Sequence, residues 1–306
     1  LSTTLFMAFS EDIFLFIIIR FFAGLSSAFV LIFGTSLILP SIQALGKNSL
    51  STAHFMGVGF GIVLSSILVS VLGSFEFVWS DLWLGVSILA LFLAIPVFIF
   101  TPNPIVKNET NKKFNTSTRL GFNLITFSYG LYGFGYVVLG TFISTMARDT
   151  SGLESTEAYV WLLVGLAGIP MVIFWPWFGK KIGNDLALFL ACLIMGIGIL
   201  MPVIVDHKLG IIFAAILLGG TFIPITALAF LEGQSRYKGS IIVSTAILTS
   251  SFSIGQMIGP YFGGIIIDLF SSYDVALTIS SISLLFAAIL MIHPNRFSST
   301  KFINTP

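Results

Sequence analysis

What this sequence has least of is charge. Asp, Glu, Lys and Arg make up 9% of its 306 residues, against about 25% in an ordinary soluble domain. So few charges leave most of a soluble surface uncovered. A soluble enzyme, a disordered chain, a coiled coil and a nucleic-acid binder are therefore excluded. Cysteine is almost missing too. The single Cys192 rules out an internal disulfide and a cysteine-based metal site, and its place inside an apolar run gives it a packing role. The motifs of site chemistry are also lacking: there is no Gly-x-Ser-x-Gly, His-Glu-x-x-His, Walker loop or dinucleotide fingerprint. No catalytic residue, cofactor or metal is expected, and ATP is not the direct energy source. His207 and His293 sit at segment boundaries without metal-ligand spacing. The opening LSTTLFMAFS has no basic n-region of a signal peptide. It reads as the tail of an apolar segment, so the expectation is an N-terminally truncated chain.

Apolar residues fill the space that charge leaves. They make up 56% of the chain, with 32 phenylalanines and a mean hydropathy of +1.04. A helix needs about 20 apolar residues to cross the hydrocarbon core. Nine runs meet this: 13–39, 51–73, 82–100, 120–146, 158–178, 186–205, 209–231, 241–267 and 275–292, with residues 1–9 as the end of a tenth. They are too long and continuous for the strands of a membrane barrel.

Charge then orients the spans. If the loop holding Glu11 and Asp12 is outside, the outer set carries ten acidic residues and two basic ones, Arg148 and Lys208. The inner set carries eleven basic residues, among them Lys107, Lys112, Lys113, Lys180, Lys181 and Arg236, and three acidic ones, Glu109, Asp185 and Glu232. Lys and Arg in short loops face the cytoplasm. The alternation supports the span count as well as the orientation. Of the 27 charged residues, Arg20 alone is left deep inside a span.

Residues 101–119 form the longest polar connection, begin with Pro102 and Pro104 and are net basic. They read as a cytoplasmic linker. The expected organisation is an incomplete N-terminal half-bundle over 1–100, the linker 101–119, a six-helix half-bundle over 120–293 and a cytoplasmic tail over 294–306. Two six-helix halves are a common plan of secondary transporters.

Arg20 lies about nine residues, or some 13 Å, from the acidic outer end of its span. A charge at that depth is costly, so it should face a water-filled cavity or pair with an acid. The pattern Arg20-x-x-x-Gly24, continuing through Ser27 and Ala28, resembles motif B of the major facilitator superfamily, which lies on the fourth helix of twelve. Counting back from the linker also makes this span the fourth. The resemblance implies an all-α membrane bundle equivalent to helices 3–12, with nine complete helices and part of a tenth. It further implies that Arg20 lines the central cavity and anchors an anionic substrate group or holds a proton-coupled acid. In the corresponding tenth helix Gly219 matches Gly24, but Ala215 stands where the arginine would be.

In the eleventh span Gly255-x-x-x-Gly259-Pro260-x-x-Gly263-Gly264 resembles motif C, which marks antiporters when on the fifth helix. The fifth span here has Gly57, Gly59 and Gly61 without a proline, so the antiporter inference does not transfer. These residues read instead as close packing, with a bend at Pro260. The loop WFGKKIGND is a degraded echo of motif A, with Lys180 where the acid belongs. The stretches HFMGVGFGI, YGLYGFGYVVLGTFISTMAR, WLLVGLAGIP and GGTFIPITALAF are similar to the YbfB/YjiJ-type branch of the superfamily. That likeness runs through most of the chain and leaves the cargo open.

Tyr129, Tyr132 and Tyr136 fall at i, i+3 and i+7, on one helical face. Gly130, Gly133, Gly135 and Gly140 interleave with them, and each lowers helix stability by about 1 kcal/mol. The expectation is a flexible, cavity-lining helix. Thr221 and Gln256 are polar groups inside spans, placed either on the cavity or in helix-to-helix hydrogen bonds. His54 lies near the inner end of the fifth span. Trp79 and Trp83 read as outer belt residues, and Trp175 and Trp177 as inner ones.

The function expected is secondary active transport of a small solute by alternating access, coupled to an ion, the proton first. The protein is expected to be multi-pass in the plasma (inner) membrane of a prokaryote. The competing readings are a membrane-embedded lipid-modifying enzyme and a sensor or scaffold with a transporter fold.

Overall fold

The computed structural model describes residues 1–44, 52–100, 119–153, 157–205, 207–237 and 239–292. The proposed linker and the C-terminal tail, with His293, lie outside the described residues. In hydrocarbon every backbone polar group must be satisfied within its own segment or by a protein neighbour, so a helix is the local solution for each apolar run. After a short α1 (Ser2–Met7) come α2 (Ile13–Ala44), a single 3-10 turn (Ala53–Phe55), α3 (Met56–Ser74), α4 (Trp79–Phe100), α5 (Arg119–Asp149), α6 (Glu157–Ile182), α7 (Asn184–Ile204), α8 (His207–Arg236), α9 (Ile241–Phe270) and α10 (Tyr273–Met291). Among the described residues nine helices are long and apolar enough to cross a membrane, matching the nine runs in the sequence.

Helix ends are set by local chemistry. The Asp12 carboxylate accepts from the backbone N–H groups of Phe14 (2.7 Å) and Leu15 (3.0 Å), which caps α2. Ser240 and Ser272 cap α9 and α10 in the same way. Between α6 and α7 the chain reverses at Gly183, whose φ of 102° is a conformation side chains avoid.

The last six helices form the packed core. α5 lies against α9 and α10, α7 against α8 and α10, and α8 against α6. α5 and α9 meet through glycine. A Cβ at Gly255 would collide with the Gly130 carbonyl oxygen, and one at Gly259 would sit 2.6 Å from the Phe134 carbonyl oxygen. Gly263 is also in contact, 3.1 Å from Val138, whereas nothing lies within 4 Å of a Cβ at Gly264. α9 runs unbroken through Pro260. Cys192 is fully buried, its Sγ 3.3 Å from the Met291 sulfur.

α3 joins this bundle by docking on α6 through Gly59 and Gly165, where the Cβ of a residue replacing Gly165 would lie 3.0 Å from the Gly59 carbonyl oxygen. α2 and α4 are more loosely held. Only 6% of the apolar stretch of each is buried, against 61% of that of α8.

Candidate functional site

Two of the three tyrosines do not line a cavity. Tyr129 and Tyr132 are fully buried between α5, α8 and α9. The Tyr129 hydroxyl donates to Thr226 Oγ1 (3.1 Å) and the Tyr132 hydroxyl donates to the Phe222 carbonyl (2.8 Å). Their rings stack on one another at 5.4 Å, and Phe252 of α9 stacks on both. The i, i+3, i+7 face exists, but helix–helix packing occupies its inner two-thirds. Tyr136 is half-buried, accepts from Gln256 Nε2, and stacks on Tyr132 and Phe252. Tyr136 and Gln256 are thus brought together across α5 and α9. Thr221 is buried and donates to the Leu217 carbonyl of its own helix, which leaves it no free donor.

Arg20 is exposed, and its guanidinium lies 5.0 Å from the centre of the Trp83 ring on α4. Among the described residues no carboxylate pairs with it. The ring face replaces the cavity or acid expected from the sequence. Ser27 and Gly24 are exposed on the same helix, and a Cβ at Gly24 would meet no atom within 4 Å.

Prolines create the polar contacts that the sequence did not reveal. Proline has no N–H, so the carbonyl four residues earlier loses its helical donor. For Pro224 that carbonyl is Gly220, and the indole N–H of Trp175 on α6 donates to it at 3.0 Å. Trp175 is therefore buried structure and not a belt residue, while Trp177 is half exposed with the Lys181 ammonium 3.9 Å from its ring centre. For Pro176 the freed carbonyl is Val172, and the Thr52 hydroxyl donates to it at 3.2 Å. Thr52 precedes the 3-10 turn, so this bond ties the inner end of α3 to α6.

Beside it Phe55 is buried, 6.0 Å ring to ring from Phe230 of α8. His54 lies 3.4 Å from Thr35 Oγ1 of α2. The basic, inner ends of α2, α3, α6 and α8 are thereby closed on one another.

At the acidic, outer ends α3 and α6 part. A cavity of about 800 Å³ opens there between α3 and α4 on one side and α5 and α6 on the other. That is within the roughly 300–1,000 Å³ usual for small-molecule sites. Its α3 wall carries Ser65, Ser66, Ser70 and Ser74, and Ser144, Glu157, Tyr159 and Trp161 face them. The serines were readable as SSILVSVLGS, but four hydroxyls in an apolar helix say nothing of the α5 and α6 residues opposite. Arg20, the three tyrosines and Gln256 are not among its described lining.

A further polar knot closes the inner end of α8. Arg236, 3% exposed, donates from Nε to Glu232 (2.8 Å), and its other nitrogens donate to the carbonyls of Gly121 (3.3 Å) and Met291 (2.8 Å). One guanidinium thus joins α5, α8 and α10. In the sequence both residues had counted only as loop charges.

The family model described as "Uncharacterised MFS-type transporter YbfB" matches residues 1–292. The chain is also similar to the protein described as "Uncharacterized MFS-type transporter YcaD" from Salmonella arizonae, with 24% identity over 278 residues, 89% of this chain and 70% of that protein. The proteins of the same description from Salmonella dublin and Salmonella enteritidis are each 23% identical over the same shares. With nine apolar helices among the described residues and a match running from the first residue through α10, the chain belongs to the YbfB-type family of major facilitator transporters.

Proposed function

We propose that this protein is a secondary active transporter that moves a small solute by alternating access, and that it is not an enzyme. The observation that carries the reading is the opposite state of the two ends. The inner ends are closed by the Thr52–Val172 hydrogen bond and the Phe55–Phe230 contact, while the outer ends enclose a cavity of about 800 Å³. A site open to one side and shut to the other is one half of a rocking cycle. The rocking units are the bundles at 1–100 and 120–293, joined by the polar segment 101–119. The outer cavity loads the solute, and binding that differs between the two states drives the shift. An arginine side chain is a fixed positive charge, so Arg20 is not the proton carrier. A proton gradient across a prokaryotic plasma membrane is the proposed energy source.

The test is solute uptake into proteoliposomes under an imposed pH gradient. Cys192 is buried, so a cysteine introduced as Ser70→Cys stands against a quiet background. A membrane-impermeant thiol reagent added outside should block uptake by this variant and spare the parent. A protein that binds solute but never accumulates it is a sensor or scaffold. Undiminished transport by Arg20→Ala removes the role given to that residue.

A further inference from the structure

The charge in the described lining of the outer cavity is acidic. Ser65, Ser70 and Ser74 each donate their hydroxyl hydrogen to a carbonyl of their own helix, at 3.1, 2.7 and 2.7 Å. A hydroxyl that has spent its hydrogen offers only lone pairs to a ligand. Three of the four serines on the α3 wall therefore present acceptors. Opposite it, Glu157 is the one charged group among the described lining residues, and it too only accepts. Beside it stand the rings of Trp161 and Tyr159. No described lining residue is basic, and Arg148 beside Glu157 is already paired with carboxylates.

We propose that this cavity takes a small organic cation of the alkylammonium class. The carboxylate of Glu157 and the ring face of Trp161 hold the charge, and the serine oxygens receive its N–H or polarised C–H groups. The proposal rests on the reading of the cavity as the loading site. It replaces the anionic solute expected from Arg20, which lies outside the described lining.

The mouth holds a built-in competitor. Arg148 Nη1 lies 3.6 Å from Glu157, and Arg148 Nε lies 4.0 Å from Asp149. An entering cation takes the place of Arg148 on Glu157, and Arg148 falls back on Asp149. Removing Arg148 therefore strengthens cation binding, an outcome that a purely structural role for these residues does not give.

The experiment is calorimetric titration of the full chain in lipid nanodiscs with tetraethylammonium chloride, with methyl glucoside and sodium benzoate as neutral and anionic comparators. Tetraethylammonium should bind, and the comparators should not. Glu157→Gln and, independently, Trp161→Leu should each weaken binding about tenfold, and Arg148→Gln should tighten it several-fold, one such factor of ten being a typical single contact. Absence of tetraethylammonium binding overturns the proposal. So does stronger binding of glucoside or benzoate, or an affinity indifferent to both Glu157→Gln and Arg148→Gln. Ammonium binding without flux in proteoliposomes sinks the transporter reading and keeps the cation site. Solute flux without ammonium binding does the reverse.

Discussion

Two arginines of the described helices, Arg236 and Arg20, stand in two differently built regions. Arg236, in the packed helices α5–α10, is buried and has its Nε, Nη1 and Nη2 all engaged, on Glu232, Gly121 and Met291. Arg20, on the loosely held α2, is exposed and rests on one ring, that of Trp83. The regions differ in the same way. α8 buries 61% of its apolar stretch, and α2 and α4 bury 6% of theirs. Depth in a span by itself does not say whether a charge is structural. Its partners do. A guanidinium engaged at all three nitrogens is a rivet, and one held by a single ring is free to take another role.

This contrast can be broken by substitution, and unfolding in mixed micelles reads it out. Arg236→Ala leaves Glu232 buried without its partner and should cost about 3–5 kcal/mol of stability. If Arg20→Ala costs as much, the contrast between the two regions fails. Trp175→Phe orphans the Gly220 carbonyl and should cost about 1–3 kcal/mol. Gly255→Ala forces α5 and α9 apart and belongs in the same range of about 1–3 kcal/mol. The matching change on α2, Gly24→Ala, meets no neighbour and should stay within about 0.5 kcal/mol. Arg20→Ala itself loses one exposed ring contact, about 0.5–1 kcal/mol. A large loss of uptake with so small a loss of stability would place Arg20 in the transport cycle.

The spans were legible because the bilayer imposes one rule on every one of them. Glycine pairs such as Gly255 and Gly259 were legible as packing, since close approach is what a missing side chain allows. The partners of polar groups were not. Tyr129 and Tyr132 declared their common face through spacing, yet Thr226 and Phe222, some 90 residues away, decide that the face is packed. Pro224 and Pro176 announce which carbonyls lack a donor, but not that Trp175 and Thr52 supply one. Trp175 looked like a belt residue because sequence gives depth and not azimuth. Ser65, Ser66, Ser70 and Ser74 passed unnoticed because a serine in a membrane helix usually bonds its own backbone, as three of these do; the cavity they face is made by α5 and α6.

On the proposed cycle, the bond from Thr52 to the carbonyl freed by Pro176 also sets the scale of an equilibrium. One hydrogen bond contributes about 0.5–1.5 kcal/mol, and a ring contact such as Phe55 on Phe230 about as much again. Together they bias the populations of the two states by about 5–150-fold. Turning a ratio of 1:99 into 99:1 takes about 5.5 kcal/mol of differential affinity. On the proposed cycle, therefore, this contact weights the distribution without trapping it, and a modestly bound solute or a single proton is enough to redistribute the molecules.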